Sequence, residues 1–382
     1  MSETISFRNI ETSSDGYLRC EVVHDKTDEL YFRLPYSFTP KPDLVAAALI
    51  TLCGQAYKSI SIDLPLGPSQ ISGFESWTRA TVNARPGTDY RRRVGSQWAL
   101  NFSGGFDSLA AHAMIPQAHL ISLDFGGLFA RERTFYQRFD PFIIETNLTA
   151  LGLNRNNWSF MGIGSILMRD ELDIGTYSFG SIQAGNIAKY HERIDQIRLR
   201  MAAADQLEMK ISNPLVGVSE ISSMAIVVDN HPQLLTDILM SVANPPEEKF
   251  LRKHQMLTAV ATSIGFPLGL PEVKMRSQGL PWGNSLPSDL SSLYAMQVLG
   301  VDRVASTYPG GLPQAVLDVI DTLDLDFLTR VNPHRYVGVD PRVLGDWYRT
   351  LAHHNILPYE QKDWQSIASV LKLLKARPAS IG

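Results

Sequence analysis

The residues whose types and spacing could do chemistry lie between 101 and 108, where the chain has the sequence Asn-Phe-Ser-Gly-Gly-Phe-Asp-Ser. The apolar run Trp98-Ala99-Leu100 before it predicts a buried strand, and the alanine-rich run after Ser108 predicts a helix. Backbone N–H groups in the first turn of a helix have no intrahelical partners, and the helix dipole favours an anion there. A glycine turn between strand and helix therefore predicts a phosphate site.

Each residue type in this loop has a physical role toward a polyphosphate. Gly104 and Gly105 lack a Cβ, so the backbone can approach a phosphate closely. The serines add hydroxyl donors, and Asp107 can help to hold a Mg²⁺ that neutralises the phosphates. The predicted ATP-binding residues of the loop are Ser103, Gly104, Gly105, Phe106, Asp107 and Ser108, and Asp107 and Ser108 are also the predicted catalytic residues, with Asp107 holding Mg²⁺ through ATP.

Two well-known motifs do not fit the loop. The Walker P-loop is excluded because the stretch lacks G-x-x-x-x-G-K-[ST], and a serine hydrolase is excluded because G-x-S-x-G is absent. The remaining alternative is an ordinary strand-to-helix turn with an Asp or Ser cap.

Composition narrows the class of protein. The 382 residues suffice for two or three domains with a sizeable core. A net charge of −4 argues against a dedicated nucleic-acid partner. Two cysteines, Cys20 and Cys53, cannot build a disulfide framework. The start has no signal-peptide pattern and the apolar stretch 44–53 is too short to span a bilayer, so we expect a cytoplasmic protein without a membrane partner.

Element patterns predict three domains: an α+β unit at 1–95, an ATP-binding α/β domain at 96–245, and a helical domain at 246–382. The predicted strands are 17–24, 31–35 and 59–64 in the first domain and 98–100, 120–125, 159–163, 196–201 and 210–212 in the second. The predicted helices are 43–57, 69–79, 178–190, 288–299, 313–323, 341–353 and 364–375. Alternating strands and helices in the central domain are typical of a doubly wound parallel sheet, whose ligands bind at the carboxyl ends of strands.

A basic run, Arg91-Arg92-Arg93, precedes the strand that leads into the loop. We interpret this run as the solvated face of a linker. The alternative is a guide for an anionic substrate.

The loop resembles the S-G-G-x-D-S loop of the PP-loop ATP pyrophosphatases, which cleave ATP between the α and β phosphates and transfer AMP to a substrate oxygen. The stretch Leu123-Asp124-Phe125-Gly126-Gly127 is similar to the second-strand signature of 7-cyano-7-deazaguanine synthases, and the stretch from Asn213 to Glu220 resembles their later P-L motif. The resemblance implies an adenine nucleotide alpha hydrolase-like fold, ATP and Mg²⁺ as cofactors, and contact of Asp124 and Phe125 with the adenosine.

The chain departs from that family at three places. Glu220 stands six residues after the motif proline, where the family has a lysine. Phe179-Gly180-Ser181 replaces the family's F-R-N. Phe250, Lys253 and Met256 occupy the thiolate positions of the family's zinc knuckle, so we expect no zinc there. The nucleotide half resembles the family, whereas the substrate half differs.

Three functions remain open. The leading hypothesis is an adenylating ligase or amidotransferase-like enzyme that activates a carboxylate or amide of an unknown substrate, for example a deazapurine-like one, with a partner protein as one source of acceptor or nitrogen. The second is a nucleotide-binding scaffold or regulatory subunit with a degenerate substrate site. The third is a tRNA-modifying PP-loop enzyme.

Overall fold

The computed structural model describes residues 3–183, 205–245, 247–270 and 280–375. The chain divides into two compact units. The first holds the described parts of Met1–Ser103, Gln117–Phe179 and Leu199–Asn213, and the second holds those of Gly104–Pro116, Gly180–Arg198 and Pro214–Gly382.

A ten-stranded sheet forms the frame of the first unit. Its strands are β1 (Thr4–Thr12), β2 (Tyr17–Val23), β3 (Thr27–Arg33), β4 (Ser59–Leu66), β5 (Thr81–Pro86), β6 (Gln97–Asn101), β7 (His119–Asp124), β8 (Phe142–Thr146), β9 (Ile174–Phe179) and β10 (Lys210–Ile211). Their order across the sheet is β10-β9-β6-β7-β8-β3-β2-β1-β4-β5.

Most pairings in this sheet are parallel. All strands from β6 to β10 pair in parallel with their neighbours among themselves, as β4 does with β1 and β5. Antiparallel pairs join β1 to β2, β2 to β3 and β3 to β8. With helices between the strands, the chain has an α/β fold.

Strand order reverses at β6. The chain proceeds from β6 to β7 and β8 on one side, and β9 and β10 then lie on the other side. A reversal of this kind leaves a crevice at the carboxyl end of the central strand, because the connections on its two sides diverge. The carboxyl end of β6 is therefore the favoured ligand position of this sheet.

The described helices, in chain order, are α1 (Pro42–Cys53), α2 (Pro68–Thr78), α3 (Phe106–Met114), α4 (Ala130–Tyr136), α5 (Ile163–Leu167), α6 (Glu220–Asn230), α7 (Leu235–Val242), α8 (Glu248–Ser263), α9 (Leu286–Leu299), α10 (Val301–Ala305), α11 (Gln314–Leu317), α12 (Pro341–His353) and α13 (Gln361–Lys375). The helix α1 is the centre of the first unit's core. Proline at its first turn fits the fixed φ of a helix start, and every residue from Asp43 to Cys53 is buried.

The second unit is built from helices over the part of the chain that the structure describes, with strand-like pairing limited to isolated bridges at Val331. Its largest fully buried side chains include Phe250, Phe327 and Trp347. The predicted helices 288–299, 341–353 and 364–375 correspond to α9, α12 and α13. The predicted helix 313–323 is shorter, since α11 ends at Leu317 and a 3-10 turn follows.

Several predicted elements are wrong or lie outside the described residues. The predicted strand 159–163 is a 3-10 helix, Trp158–Gly162, followed by α5. Residues 178 and 179 end β9 rather than begin a helix. The remainder of that predicted helix, from 184, and the predicted strand 196–201 lie outside the described residues. The strands β1 and β5 were not predicted although their polar and apolar residues alternate, and β8 was not predicted although it begins with the apolar run Phe142-Ile143-Ile144.

The two units cut across the three predicted domains. Antiparallel pairing of Phe32 with Thr146 joins β3 to β8, so strands before residue 95 and strands after it share one sheet. Helix α3, which follows the loop, belongs to the same unit as the C-terminal helices.

The basic run before β6 has a structural role at its centre. The Arg92 side chain is 4% exposed and donates to Asp43 in α1, with an Nη2–Oδ1 distance of 2.8 Å. It also donates to Asp170 through Nε at 3.1 Å. Arg93, by contrast, is 83% exposed and pairs with Asp173 at 3.3 Å. The interpretation of the run as a solvated face is therefore wrong for Arg92, because two carboxylates need its charge.

We expect Arg92→Met to lower the free energy of unfolding by about 3–5 kcal/mol, because it leaves the fully buried Asp43 carboxylate without its cation. The control Arg93→Met removes the same charge from an exposed pair and should cost about 1 kcal/mol or less. Urea unfolding of both variants measures the difference. Equal effects would contradict the structural role of Arg92.

Candidate functional site

The structure has a strand, a glycine turn and a helix at the predicted loop. The strand β6 ends at Asn101 and α3 begins at Phe106. Gly104 has φ +74°, which L side chains rarely adopt, so glycine is required at this position. Gly105 precedes α3 with φ −74° and ψ 168°, which any residue can adopt.

Hydrogen bonds within the first unit fix the end of β6. The Asn101 side chain donates to the Ser178 carbonyl at 3.0 Å and accepts from Ser165 Oγ at 3.0 Å. Ser122 Oγ donates to the Phe102 carbonyl at 2.7 Å. The exposed Ser103 thus follows a strand end that is held from both neighbouring strands.

Asp124 and Phe125 lie at the carboxyl end of β7, the strand beside β6. The Asp124 carboxylate is 6% exposed, accepts from Gly126 N at 2.9 Å and forms an ion pair with Arg133. Arg133 also donates to Glu145 at 2.9 Å. The Phe125 ring lies 6.0 Å from the Phe160 ring, centroid to centroid. Asp124 is therefore already paired with a cation of its own unit.

Within the second unit, the Asp107 carboxylate lies in the first turn of α3. It accepts a hydrogen bond from Ser223 Oγ in α6 at 2.7 Å. Burial raises the pKa of Asp107, with Glu220 adding to the increase, while Lys253, Ser223 and Arg252 oppose it. Ser108 Oγ donates to the Gly105 carbonyl at 3.0 Å, so that hydroxyl helps to close the start of the helix.

Three charged side chains next to α3 form a group that we call the Glu220 cluster: Glu220, Arg252 and Lys253. Arg252 Nη1 lies 3.1 Å from Glu220 Oε2, and the Lys253 ammonium donates to Glu220 Oε1. The ammonium is also 5.8 Å from the centroid of the Phe106 ring. Burial by itself would raise the pKa of Glu220, but Lys253 and Arg252 outweigh it and hold that pKa below its usual value.

Lys253 was not predicted from the sequence as a functional residue. It was named only because it occupies a position where the zinc knuckle would need a cysteine. One signal could have identified it. The position with reversed charge, Glu220, needs cations, and α8 supplies two in succession at Arg252 and Lys253.

Gly180 lies against the backbone of the loop's helix. A Cβ on Gly180 would lie 2.6 Å from both Asp107 C and Ser108 N, which is closer than real Cβ contacts. The residue at this position must therefore be glycine for α3 to begin as it does. This packing explains why a larger side chain is missing at this place.

Comparison of the chain with family models, with curated proteins and with solved structures found no match. Among the described residues, no helix is long and apolar enough to cross a membrane, and no group of three or more His, Cys, Asp or Glu side chains could hold a metal ion. Any function must therefore be argued from the loop and its surroundings.

We expect Asp107→Asn to stabilise the protein increasingly as pH rises. The pKa of Asp107 is raised above its unfolded value of 3.8, so this carboxyl group binds more protons in the folded state than in the unfolded state. Its contribution to the free energy of unfolding is therefore lost as pH rises from the unfolded pKa through the folded pKa. Asparagine does not titrate, so the variant does not lose stability in this way. Thermal unfolding from about pH 4 to about pH 7 should show a melting-temperature gain that grows with pH. The exposed control Asp321→Asn removes the same charge away from this site, and a gain in Asp107→Asn that is independent of pH would contradict the explanation.

A second variant tests the packing at Gly180. We expect Gly180→Ala to lower the free energy of unfolding by about 1–3 kcal/mol, because the added methyl group must displace the start of α3. Gly345 lies in α12, and no neighbouring atom lies within 4 Å of the place that its Cβ would take, so the control Gly345→Ala should raise it by up to about 1 kcal/mol. Calorimetry of both variants measures the two changes. An unchanged free energy of unfolding in Gly180→Ala would show that the start of α3 can accommodate a Cβ at this position.

Proposed function

We propose that the chain binds ATP with Mg²⁺ at the loop of residues 103–108 and cleaves ATP to AMP and pyrophosphate. The observation that carries the proposal is the placement of this loop. It connects a parallel strand to a helix at the carboxyl end of β6, where the strand order reverses. Backbone N–H groups of the first turn of α3 would meet the phosphates.

We also propose a finer description of the fold. The order β10-β9-β6-β7-β8 is what a doubly wound, adenine nucleotide alpha hydrolase-like sheet would have, with β6 as its first strand. Asp124 and Phe125 would face the adenosine from the end of β7. Since the Asp124 carboxylate is paired with Arg133, we expect the main-chain groups of Asp124 and its neighbours to contact the adenosine. The Phe125 ring would stack on the adenine.

Asp107 fits the role of a Mg²⁺ ligand. Its Oδ1 accepts from Ser223, whereas Oδ2 has no hydrogen-bond partner among the described residues. A carboxylate oxygen is a ligand that Mg²⁺ prefers, and the metal commonly bridges one carboxylate and substrate phosphates. When bound, Mg²⁺ would neutralise charge on the leaving pyrophosphate.

The chemistry that follows is adenylation of an acceptor. An oxygen of a substrate carboxylate or amide attacks the α-phosphorus, the bond from that phosphorus to the bridging oxygen breaks, and pyrophosphate leaves with the electron pair. An amine then displaces AMP. The protein contributes positioning and charge neutralisation, as in other phosphoryl chemistry.

The second candidate is a nucleotide-binding scaffold without turnover. It is favoured by Glu220, which places a negative charge beside the loop where the similar family has a lysine. Both candidates share ATP binding and differ in whether products appear. The third, a tRNA-modifying enzyme, has neither a basic excess in the sequence nor a pair of neighbouring cysteines in its favour.

We expect incubation with ATP, Mg²⁺, candidate carboxylates and an amine to yield AMP and pyrophosphate. Asp107→Asn should lower kcat by about 10²-fold or more, about 2.7 kcal/mol, with a smaller change in ATP affinity, because the metal stabilises charge that develops in the transition state. Nucleotide chromatography with steady-state kinetics measures both effects. ADP as the main product would overturn the proposed chemistry.

Binding is tested separately from turnover with Gly105→Val. Because the φ and ψ of Gly105 are open to any residue, valine there tests space rather than backbone strain. Calorimetry should show loss of ATP binding in Gly105→Val and a smaller loss in Gly105→Ala. Undiminished affinity in the valine variant would exclude the loop as the phosphate site, whereas tight binding without products would favour the scaffold.

A further inference from the structure

The Lys253 ammonium is buried with fewer hydrogen-bond acceptors than it has donors. Its side chain is 8% exposed, and Glu220 Oε1 is its one hydrogen-bond acceptor among the described residues. An ammonium group has three N–H donors, and a buried donor without an acceptor costs free energy. Two N–H groups of Lys253 therefore remain available to a ligand oxygen.

The three side chains of the Glu220 cluster carry two positive charges and one negative charge. Glu220 carries one negative charge and is shared by two cations, Arg252 and Lys253. Glu248 adds a weaker contact, with its Oε1 3.9 Å from Arg252 Nε. The other nearby carboxylate is that of Asp107, which the proposed function assigns to a metal ion. Once Asp107 holds a metal, the Lys253 ammonium has Glu220 as its one carboxylate partner and can offer its remaining donors to a ligand.

The position of the Lys253 ammonium indicates which ligand it could bind. It lies 5.8 Å from the ring of Phe106, the first residue of α3, which is where the backbone N–H groups of that helix begin. A cation beside a helix N-terminus and a carboxylate suited to Mg²⁺ are together the groups that bind a polyphosphate.

We propose that Lys253 is a phosphate ligand of the loop, presented from α8 and held by Glu220. This inference rests on the proposed function, since it takes the ligand to be a nucleoside triphosphate. Lys253 would donate to non-bridging oxygens of the phosphates, while Glu220 keeps the ammonium against Phe106. Arg252, which donates to both oxygens of Glu220, holds that carboxylate in place.

The experiment compares Lys253→Met with Lys249→Met, which removes the same charge from an exposed position of the same helix. Calorimetry with ATP–Mg²⁺ and with adenosine separates phosphate contacts from base contacts. We expect Lys253→Met to weaken ATP binding by about tenfold or more, or 1.4 kcal/mol, and to leave adenosine binding unchanged. Lys249→Met should match the wild type for both ligands.

Because Lys253→Met leaves Glu220 with one cation, a second variant guards against misfolding. Glu220→Gln with Lys253→Met removes both charges of the pair and should fold with a near-normal melting curve, yet bind ATP as weakly as Lys253→Met alone. Lys253→Arg keeps the charge and should retain more ATP affinity than Lys253→Met.

The outcomes separate this inference from the proposed function. If the wild type binds no ATP, both fail. If the wild type binds ATP and Gly105→Val does not, the phosphate site of the proposed function stands. If Lys253→Met then binds ATP as tightly as Lys249→Met, the role of Lys253 is overturned. Equal loss of ATP and adenosine binding in a folded Lys253→Met would also overturn it, since the residue would then act only on local structure.

Discussion

The parallel pairing of β6 on both of its edges is the constraint on which the rest of the site depends. Because β7 and β9 hold β6 from opposite sides, the chain leaving its carboxyl end has room where the flanking connections diverge. The side chain of Asn101 bonds to Ser178 and Ser165, so this exit is fixed before the loop begins. Gly104, with positive φ, then turns the chain into α3.

Two buried ionic groups in this chain show how structural and functional charges differ. Arg92 in the first unit has two carboxylates, Asp43 and Asp170, and its donors are largely satisfied. Lys253 in the second unit shares a single carboxylate with Arg252. A buried charged group needs hydrogen-bond partners for its donors as well as a counter-charge. Arg92 donates to carboxylate oxygens through all three of its guanidinium nitrogens, whereas the Lys253 ammonium has one acceptor among the described residues, so donors remain for a ligand only at Lys253.

Sequence patterns predicted the local structure around the loop but not the sheet that contains it. The apolar run at 98–100, the glycine pair and the alanine-rich run specify strand, turn and helix through short-range preferences alone. The pairing of β3 with β8 joins residues more than a hundred positions apart, and nothing in either strand's composition specifies that partner. Lys253 was not predicted for the same reason. Its contacts are with Glu220 in α6 and Phe106 in α3, which are distant from it in the sequence.

The residues that surround the start of α3 have a physical explanation in packing at Gly180 and in charge at Glu220. Gly180 leaves no space for a side chain against Asp107 and Ser108, so backbone packing alone occupies that side of the helix start. Glu220 places a carboxylate beside α3, and α8 places the Lys253 ammonium against that carboxylate. With Arg252 added, α8 gives Glu220 two cations, so these three side chains carry one net positive charge next to the first residue of α3. Under the proposed function, this charge and the backbone N–H groups of α3 would together meet the phosphates of ATP.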